Sequence, residues 1–430
     1  MSDGLPVTLY GTTIGTLGRE GDGKALLRWS AEAEHRWGLN ASTLSHNLRV
    51  GKHDATATES FFGALLPEGQ WLANLAREVK VTSSDLVGLL THVGADLAGA
   101  LSVGDAKVIA EPRVVDSSEL NLMLERASGF LVGGGGSALP GFQRKLTLSR
   151  LDGRWMAGNG ALASTHILKP VSIDQRAAVE GEHYTLSIAR ALGLAEFETW
   201  VEEIADRAVL VVQRYDRVIH GDRIERIHQE DLAQALGLPW GGNDKFEFGN
   251  ATANLRAIAE VLDVGRTVFD SGPKDVERLL RYVVLNIAAG NTDAHAKNFS
   301  ILRTGDGKAR LAPYYDAAPL ALAYGANTAL AMTIAGESQL PEVTVDHLVD
   351  ESTGWGIDRS VARAVVETEL AAIVEATHSV RAHSAIEAHV PGYIRGQAQN
   401  LLAGKPARIP SAVPLMSLPR IGSSPKDRLP

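Results

Sequence analysis

The stretch Asn291-Thr292-Asp293-Ala294-His295-Ala296-Lys297-Asn298 crowds a carboxylate, an imidazole, an ammonium and a carboxamide into one short segment. It follows an apolar run, Val276 to Ala289, which places Leu279, Leu280, Val283, Val284 and Ile287 at helical spacing and stops at Gly290. Polar residues this dense, directly after an apolar helix, belong in a loop at the helix end. Phosphoryl transfer needs a carboxylate to receive or orient the attacking hydroxyl, oxygen ligands for Mg²⁺, and a cation for the moving negative charge. Asp293 can supply the first, Asn298 and Asp316 the metal ligands, and Lys297 the charge. The segments Phe299 to Arg303 and Ala309 to Pro313 can pair as a hairpin around Gly305-Asp306-Gly307-Lys308, which would return Asp316 toward Asn298. The bland alternative is a capped helix end with an Asx-turn at Asn298 and a surface Asp316.

A phosphate-transfer site needs a second wall. Lys169 ends the short strand pattern Thr165-His166-Ile167-Leu168-Lys169-Pro170, where Pro170 is expected to stop the ladder. Kinases place the lysine that grips the nucleotide phosphates on such a strand. Glu182 opens the following helical pattern as a possible acidic partner of Lys169, and Glu180 competes with it. The glycine run Gly133 to Gly136, followed by Ser137 to Lys145, could turn backbone N–H groups toward phosphates. It lacks the Walker spacing, and a linker is an equally open reading.

These residues must be positioned by elements whose order is legible. Residues 1–107 begin with strands at Val7 to Tyr10 and Ala25 to Trp29. A helical stretch follows from Glu59 to about Val79, interrupted by Pro67, and Ser83 or Ser84 caps the next helix. Residues 108–215 are richer in strands, with a hairpin turn at Asp152-Gly153 and a continuous apolar run at Ala208 to Val212, expected to be buried on both faces. Helical patterns dominate residues 216–403, including Val361 to Ala376, whose pattern the polar Thr377-His378-Ser379 breaks, and the proline-rich residues 404–430 read as a flexible tail or an arm for a partner. Strands first and helices later, joined near Gln213 to Arg217, predict an α+β, two-lobed protein with a cleft at the junction.

The bulk properties narrow the function. The 430 residues are 45% hydrophobic and 22% charged, an ordinary soluble composition, and no run approaches a membrane span. The absence of cysteine removes disulfides, thiolate catalysis and Cys-based zinc sites. A net charge of −9 argues against a dedicated nucleic-acid surface, and the 13 histidines lack metalloprotease spacing. The acidic start Met1-Ser2-Asp3-Gly4 lacks signal-peptide character, so a cytoplasmic location is expected.

At several points the chain resembles the HipA family, the kinase components of bacterial toxin–antitoxin modules. The resemblance rests on Phe61 to Gly69, Pro140 to Lys145, Thr165 to Pro170, Gln213 to Arg217, His228 to Asp231 with Ala235 to Pro239, Asn291 to Ser300, and Pro313 to Asp316. It implies a protein-kinase-like fold with a family-specific N-terminal domain, and Asp293 as catalytic base. Asn298 and Asp316 would bind Mg²⁺. The ATP site implied comprises Pro140, Gly141, Phe142, Gln143, Arg144, Lys145, Lys169, the hinge residues Gln213, Arg214 and Tyr215, and His295, Lys297, Asn298, Tyr315 and Asp316. The family often has Glu where Gln213 stands. A helix-turn-helix antitoxin resembling HipB is implied as partner, with DNA contacted indirectly through it, a host protein as substrate, and no membrane. Family members commonly carry an autophosphorylated serine three residues before the loop glycine; here Ala138 occupies that place and Ser137 precedes it. Either Ser137 substitutes, or this chain lacks self-inactivation, or Ala138 is a deliberate replacement.

Three functions compete: a toxin kinase that stalls growth by phosphorylating a host protein such as an aminoacyl-tRNA synthetase, a small-molecule phosphotransferase acting on sugars or aminoglycosides, and a catalytically idle antitoxin-binding module. The Phe-Phe…Leu-Leu-Pro-Glu block argues against the second, and intact catalytic positions against the third.

Overall fold

The computed structural model describes residues 4–104, 111–125, 139, 144–158, 161–221, 223–264, 272–305 and 308–417. Ser137, Ala138 and Pro140 to Gln143, with the glycine run before them, lie outside the described residues.

Four strands, β1 (Leu5–Leu9), β2 (Thr12–Arg19), β3 (Ala25–Trp29) and β4 (Leu101–Val103), form an antiparallel sheet in the order β3-β2-β1-β4. Four helices intervene before β4: α1 (Ala31–Trp37), α2 (Ala55–Gly63), α3 (Gly69–Val79) and α4 (Leu86–Val93). Phe61 and Phe62 on α2 meet edge to face at 5.2 Å and share a core with Val7, Leu17 and Leu90. The stretch expected as one interrupted helix is therefore two, separated at Ala64 to Glu68. Pro67 cannot donate to a continuing helix, and the break presents Glu68 to the rest of the molecule. Asp85, rather than Ser83 or Ser84, caps α4, accepting from the Gly88 N–H at 3.0 Å.

The second sheet is six-stranded, in the order β5-β7-β6-β8-β10-β9, from β5 (Arg113–Val114), β6 (Leu146–Leu151), β7 (Arg154–Ala157), β8 (His166–Ser172), β9 (Thr199–Ile204) and β10 (Arg207–Gln213). The β6–β7 hairpin turns at Asp152 and Gly153, both at positive φ. Ala208 to Val212 is buried throughout, as a strand between two others must be. Strand β8 does not stop at Pro170, which pairs with Val209. Strand β6 pairs with His166, Ile167 and Leu168, so among the described residues β8 has no ladder partner on that edge beyond Leu168, where the N–H that proline lacks costs no bond. Helix α5 (Ser117–Glu125) and helix α6 (Arg176–Ala191) belong to this lobe, and α6 ends before Gly193 at φ +70°.

The third part is mainly helical: α7 (Leu232–Ala235), α8 (Leu255–Val264), α9 (Gly272–Ala289), α10 (Val345–Thr353), α11 (Arg359–Ser379) and α12 (Val390–Leu402). Helix α11 runs through Thr377-His378-Ser379, whose polarity suggested a break; the hydroxyls of Thr377 and Ser379 bond back to the carbonyls of Val374 and Ala376. Short strands also lie here, and they frame the chemistry. Strands β11 (Arg217–His220) and β12 (Arg223–Arg226) make a hairpin after the connector; β13 (His228–Asp231), β14 (Ser300–Arg303) and β15 (Ala309–Leu311) form a sheet; β16 (Ala329–Ile334) pairs with β17 (Glu337–Gln339). Residues 404–417 are not a loose tail: Ala407 and Met416 are buried, and Met416 exchanges backbone hydrogen bonds with Leu322 and Tyr324. Their prolines suppress helix, while these apolar side chains still find a surface to cover. Residues 418–430 lie outside the described residues.

Candidate active site

Lys169 sits mid-strand on β8, buried, with its ammonium 2.6 Å from Glu182 Oε1 and 2.8 Å from Asp316 Oδ1. Glu182 is carried by α6, and its competitor Glu180 is engaged by Arg176 at 2.9 Å. One cation thus ties the strand-rich lobe, its helix and the far wall of the cleft together. The two carboxylates hold Lys169 protonated well above the ordinary lysine range against the effect of burial. Burial raises Glu182, while Lys169 and Lys145 hold Asp316 well below the usual carboxylate range. Lys145, just ahead of β6, is pushed down to about 8 by burial and by Lys169.

The opposite wall is built by α9, Gly290 at φ +71°, and the loop that follows. Asn291 donates to Asn286 at 2.8 Å, and Tyr314 donates to the same Asn286 oxygen at 2.7 Å, fixing both ends of the segment from beneath. Asp293 is exposed at the loop's apex. The predicted hairpin, β14 with β15, returns the chain so that Asn298 Nδ2 donates to the Asp316 carbonyl at 3.2 Å. This bond occupies the amide nitrogen and leaves the Asn298 carbonyl oxygen as the metal-type donor. Asp316 adopts φ +55°, a left-handed conformation uncommon for a non-glycine residue, and its side chain remains 48% exposed. Tyr315 donates to the Lys297 carbonyl at 2.7 Å and lies against Tyr215 with ring centroids 5.5 Å apart.

Other expected site residues are occupied differently. Gln213 ends β10, and its side-chain oxygen accepts from the Glu198 N–H at 3.1 Å. The Arg214 side chain is buried in an ionic cluster with Asp216 and Asp96 and donates to Ser164 at 2.8 Å. Arg144 is exposed and donates to the Glu125 carbonyl at 3.0 Å. Lys297, expected to face the phosphate, is directed at the N-terminal domain: it donates to the Ala64 carbonyl at 2.7 Å and lies 3.5 Å from both Glu68 and Asp231. His295 is buried beside Phe246, and burial with nearby Lys245 holds it neutral, well below the usual imidazole range.

Two residues here escaped the sequence reading. Glu68 is buried, 2.6 Å from Lys245, and the lysines around it lower its carboxyl to about 2 despite desolvation. Lys245 in turn accepts, through its backbone carbonyl, the N–H of Ala296 in the loop after α9. The only hint was Glu68's place in the Phe61 to Gly69 motif.

Comparison with known proteins fits this arrangement. The HipA N-terminal domain profile matches residues 5–104, and the HipA-like C-terminal domain profile matches residues 137–379. This chain belongs to the HipA family. Among relatives of this HipA-family chain, Y4mE of Sinorhizobium fredii, a kinase by its name alone, is 30% identical over 79% of this chain and 84% of its own. The serine/threonine-protein kinase toxin HipA of Shewanella oneidensis is 27% identical over 72% of this chain and 74% of its own. A solved structure of Shewanella oneidensis HipA with HipB and operator DNA superposes with a TM-score of 0.74 at 22% identity, covering 93% of this chain and 96% of that one. The HipA fold is therefore present nearly end to end.

Proposed function

We propose that this chain is an ATP- and Mg²⁺-dependent protein serine/threonine kinase and the toxin of a toxin–antitoxin module. The observation that carries the reading is Lys169, bridging Glu182 at 2.6 Å and Asp316 at 2.8 Å. Kinases use this geometry to grip nucleotide phosphates beside the metal-binding aspartate. Asn298 and Asp316 would hold Mg²⁺, which typically takes one or two protein oxygens and completes its shell with phosphates and water. Bound there, Mg²⁺ with ATP supplies charge neutralisation for the transferred phosphoryl group. Asp293, exposed at the loop apex, accepts the proton of a substrate hydroxyl. Lys145 and Lys169 face the phosphates, and the connector from Gln213 to Tyr215 meets the adenine with backbone groups.

The named relative is a serine/threonine kinase toxin, and its solved complex holds HipB and operator DNA. By that likeness the partner is a HipB-like antitoxin that carries this acidic chain to DNA, in the cytoplasm. The substrate is a host protein, with an aminoacyl-tRNA synthetase as the class the family suggests. No helix among the described residues is long and apolar enough to cross a membrane. The test is a phosphoproteome comparison of cells expressing this chain or its Asp293→Asn form. Growth arrest with phosphosites that depend on Asp293 is expected; equal arrest by both forms, with no such phosphosite, would overturn the reading. In the same preparation, phosphate on Ser137 would identify it as the self-modified residue, and Ala138→Ser would report whether a switch can be restored.

A further inference from the structure

We infer that Glu68, from the N-terminal domain, is a positioning residue for the phosphoryl-transfer loop. The inference rests on the kinase reading for its catalytic consequence, and on geometry alone for the positioning itself.

Two lysines of the catalytic lobe converge on this one carboxylate. Lys245 Nζ lies 2.6 Å from Glu68 Oε2, and Lys297 Nζ lies 3.5 Å from Glu68 Oε1. Both grip the segment that bears the chemistry. Lys297 is the immediate neighbour of Asn298, and the Lys245 carbonyl accepts the Ala296 N–H at 3.1 Å. All three side chains are nearly sealed from water, at 10% exposure or less. Lys297 has further acceptors in the Ala64 carbonyl at 2.7 Å and Asp231 at 3.5 Å, so its ammonium is held against the N-terminal domain. His295 packs into the same cluster against Phe246.

Removing the Glu68 charge would take from the buried Lys245 and Lys297 ammonium groups the carboxylate they share, with Asp231 remaining 3.5 Å from Lys297. A buried cation without its partner relaxes by moving toward water, and here it would take the loop backbone with it. Asn298 would then leave its place beside Asp316. Lys169 and Glu182 stand on β8 and α6 in the other lobe and would be unaffected. The expected signature is therefore loss of turnover without loss of nucleotide affinity: a displacement of about 1 Å costs on the order of 100-fold in rate.

The test compares Glu68→Gln, which keeps the shape and removes the charge, with Glu68→Asp and with Tyr10→Phe. Tyr10 also joins the N-terminal domain to the catalytic lobe, through Arg303 and His228, but away from the loop. Full-length protein is followed by amide hydrogen exchange over residues 292–299 and by Mg²⁺-ATP turnover. Glu68→Gln is expected to speed exchange in that segment and to lower kcat between 10-fold and roughly 100-fold, with the KM for ATP within about twofold. Glu68→Asp should recover part of both, and Tyr10→Phe should change neither. If Glu68→Gln matches Tyr10→Phe in exchange, the inference is overturned. If the unaltered chain turns over ATP no faster than its Asp293→Asn form, the kinase reading fails, and the exchange data still decide the positioning.

Discussion

Two ionic clusters, one within the connector between the lobes and one in the cleft, are built in opposite ways. On the hinge side, Asp216 is shared by Arg214 at 2.9 Å and Arg217 at 2.8 Å, while Asp96 takes Arg217 at 3.1 Å. The Gly99 N–H adds 2.7 Å to Asp216, and Arg226 caps the Leu101 carbonyl at 2.6 Å. The Asp96, Arg214, Asp216 and Arg217 side chains are at most 4% exposed, and both carboxyls lie below their ordinary range because the guanidinium groups overcome burial. In the cleft, by contrast, the Lys169 ammonium bridges two carboxylates with Lys145 nearby, and one of the two is half-exposed on a left-handed backbone. The first cluster is closed to water, as suits a joint between the N-terminal domain and the connector. The second is open on one side, at the half-exposed Asp316, as suits a site that a metal–nucleotide complex completes.

This contrast can be broken experimentally. The largest effect is expected from Asp216→Asn, which strands buried guanidinium groups and should destabilise the fold by about 3–5 kcal/mol in denaturant titrations. Asp316→Asn should do the reverse: turnover falls on the order of 10³-fold while unfolding changes by less than about 1 kcal/mol, because the lost partner is half-exposed and Lys169 keeps Glu182. Next, Glu182→Gln should weaken Mg²⁺-ATP binding roughly tenfold by calorimetry, through loss of the group that orients Lys169. Outside this ranking of substitutions stands an effect of pH. Burial holds His166 and His228 down to about 4, so the folded state keeps them neutral while the unfolded chain takes up protons below about 6.5. The stability present above that value should therefore be lost as pH falls toward 4, by up to about 1.4 kcal/mol per unit for each histidine. Melting temperatures flat from neutrality to about pH 5 would contradict this.

The cleft was far more legible in the sequence than the clusters that brace it. Lys169, Glu182, Asn298 and Asp316 could be found because strand, helix and hairpin periodicities are local and dictate where each side chain emerges. The β14–β15 hairpin was readable from Gly305 and its flanking apolar residues for the same reason. Glu68 and Lys245, or Asp96 and Arg217, are joined only by tertiary packing, and nothing in their own neighbourhoods marks them as paired. Pro170 misled because its cost depends on whether β8 has a partner on that side, a property of the sheet rather than of the strand. Thr377 and Ser379 misled because their hydroxyls can satisfy the helix they were expected to end.

The central claim is that Lys169, Asp293, Asn298 and Asp316 form one phosphoryl-transfer site. The most direct measurement is label transfer from γ-labelled ATP to proteins of a bacterial lysate, with Mg²⁺ or with chelator, by this chain and by its Asp293→Asn form. Serine or threonine labelling that needs both Mg²⁺ and Asp293 is the predicted result. Labelling that persists in chelator, or equally with Asp293→Asn, would contradict it.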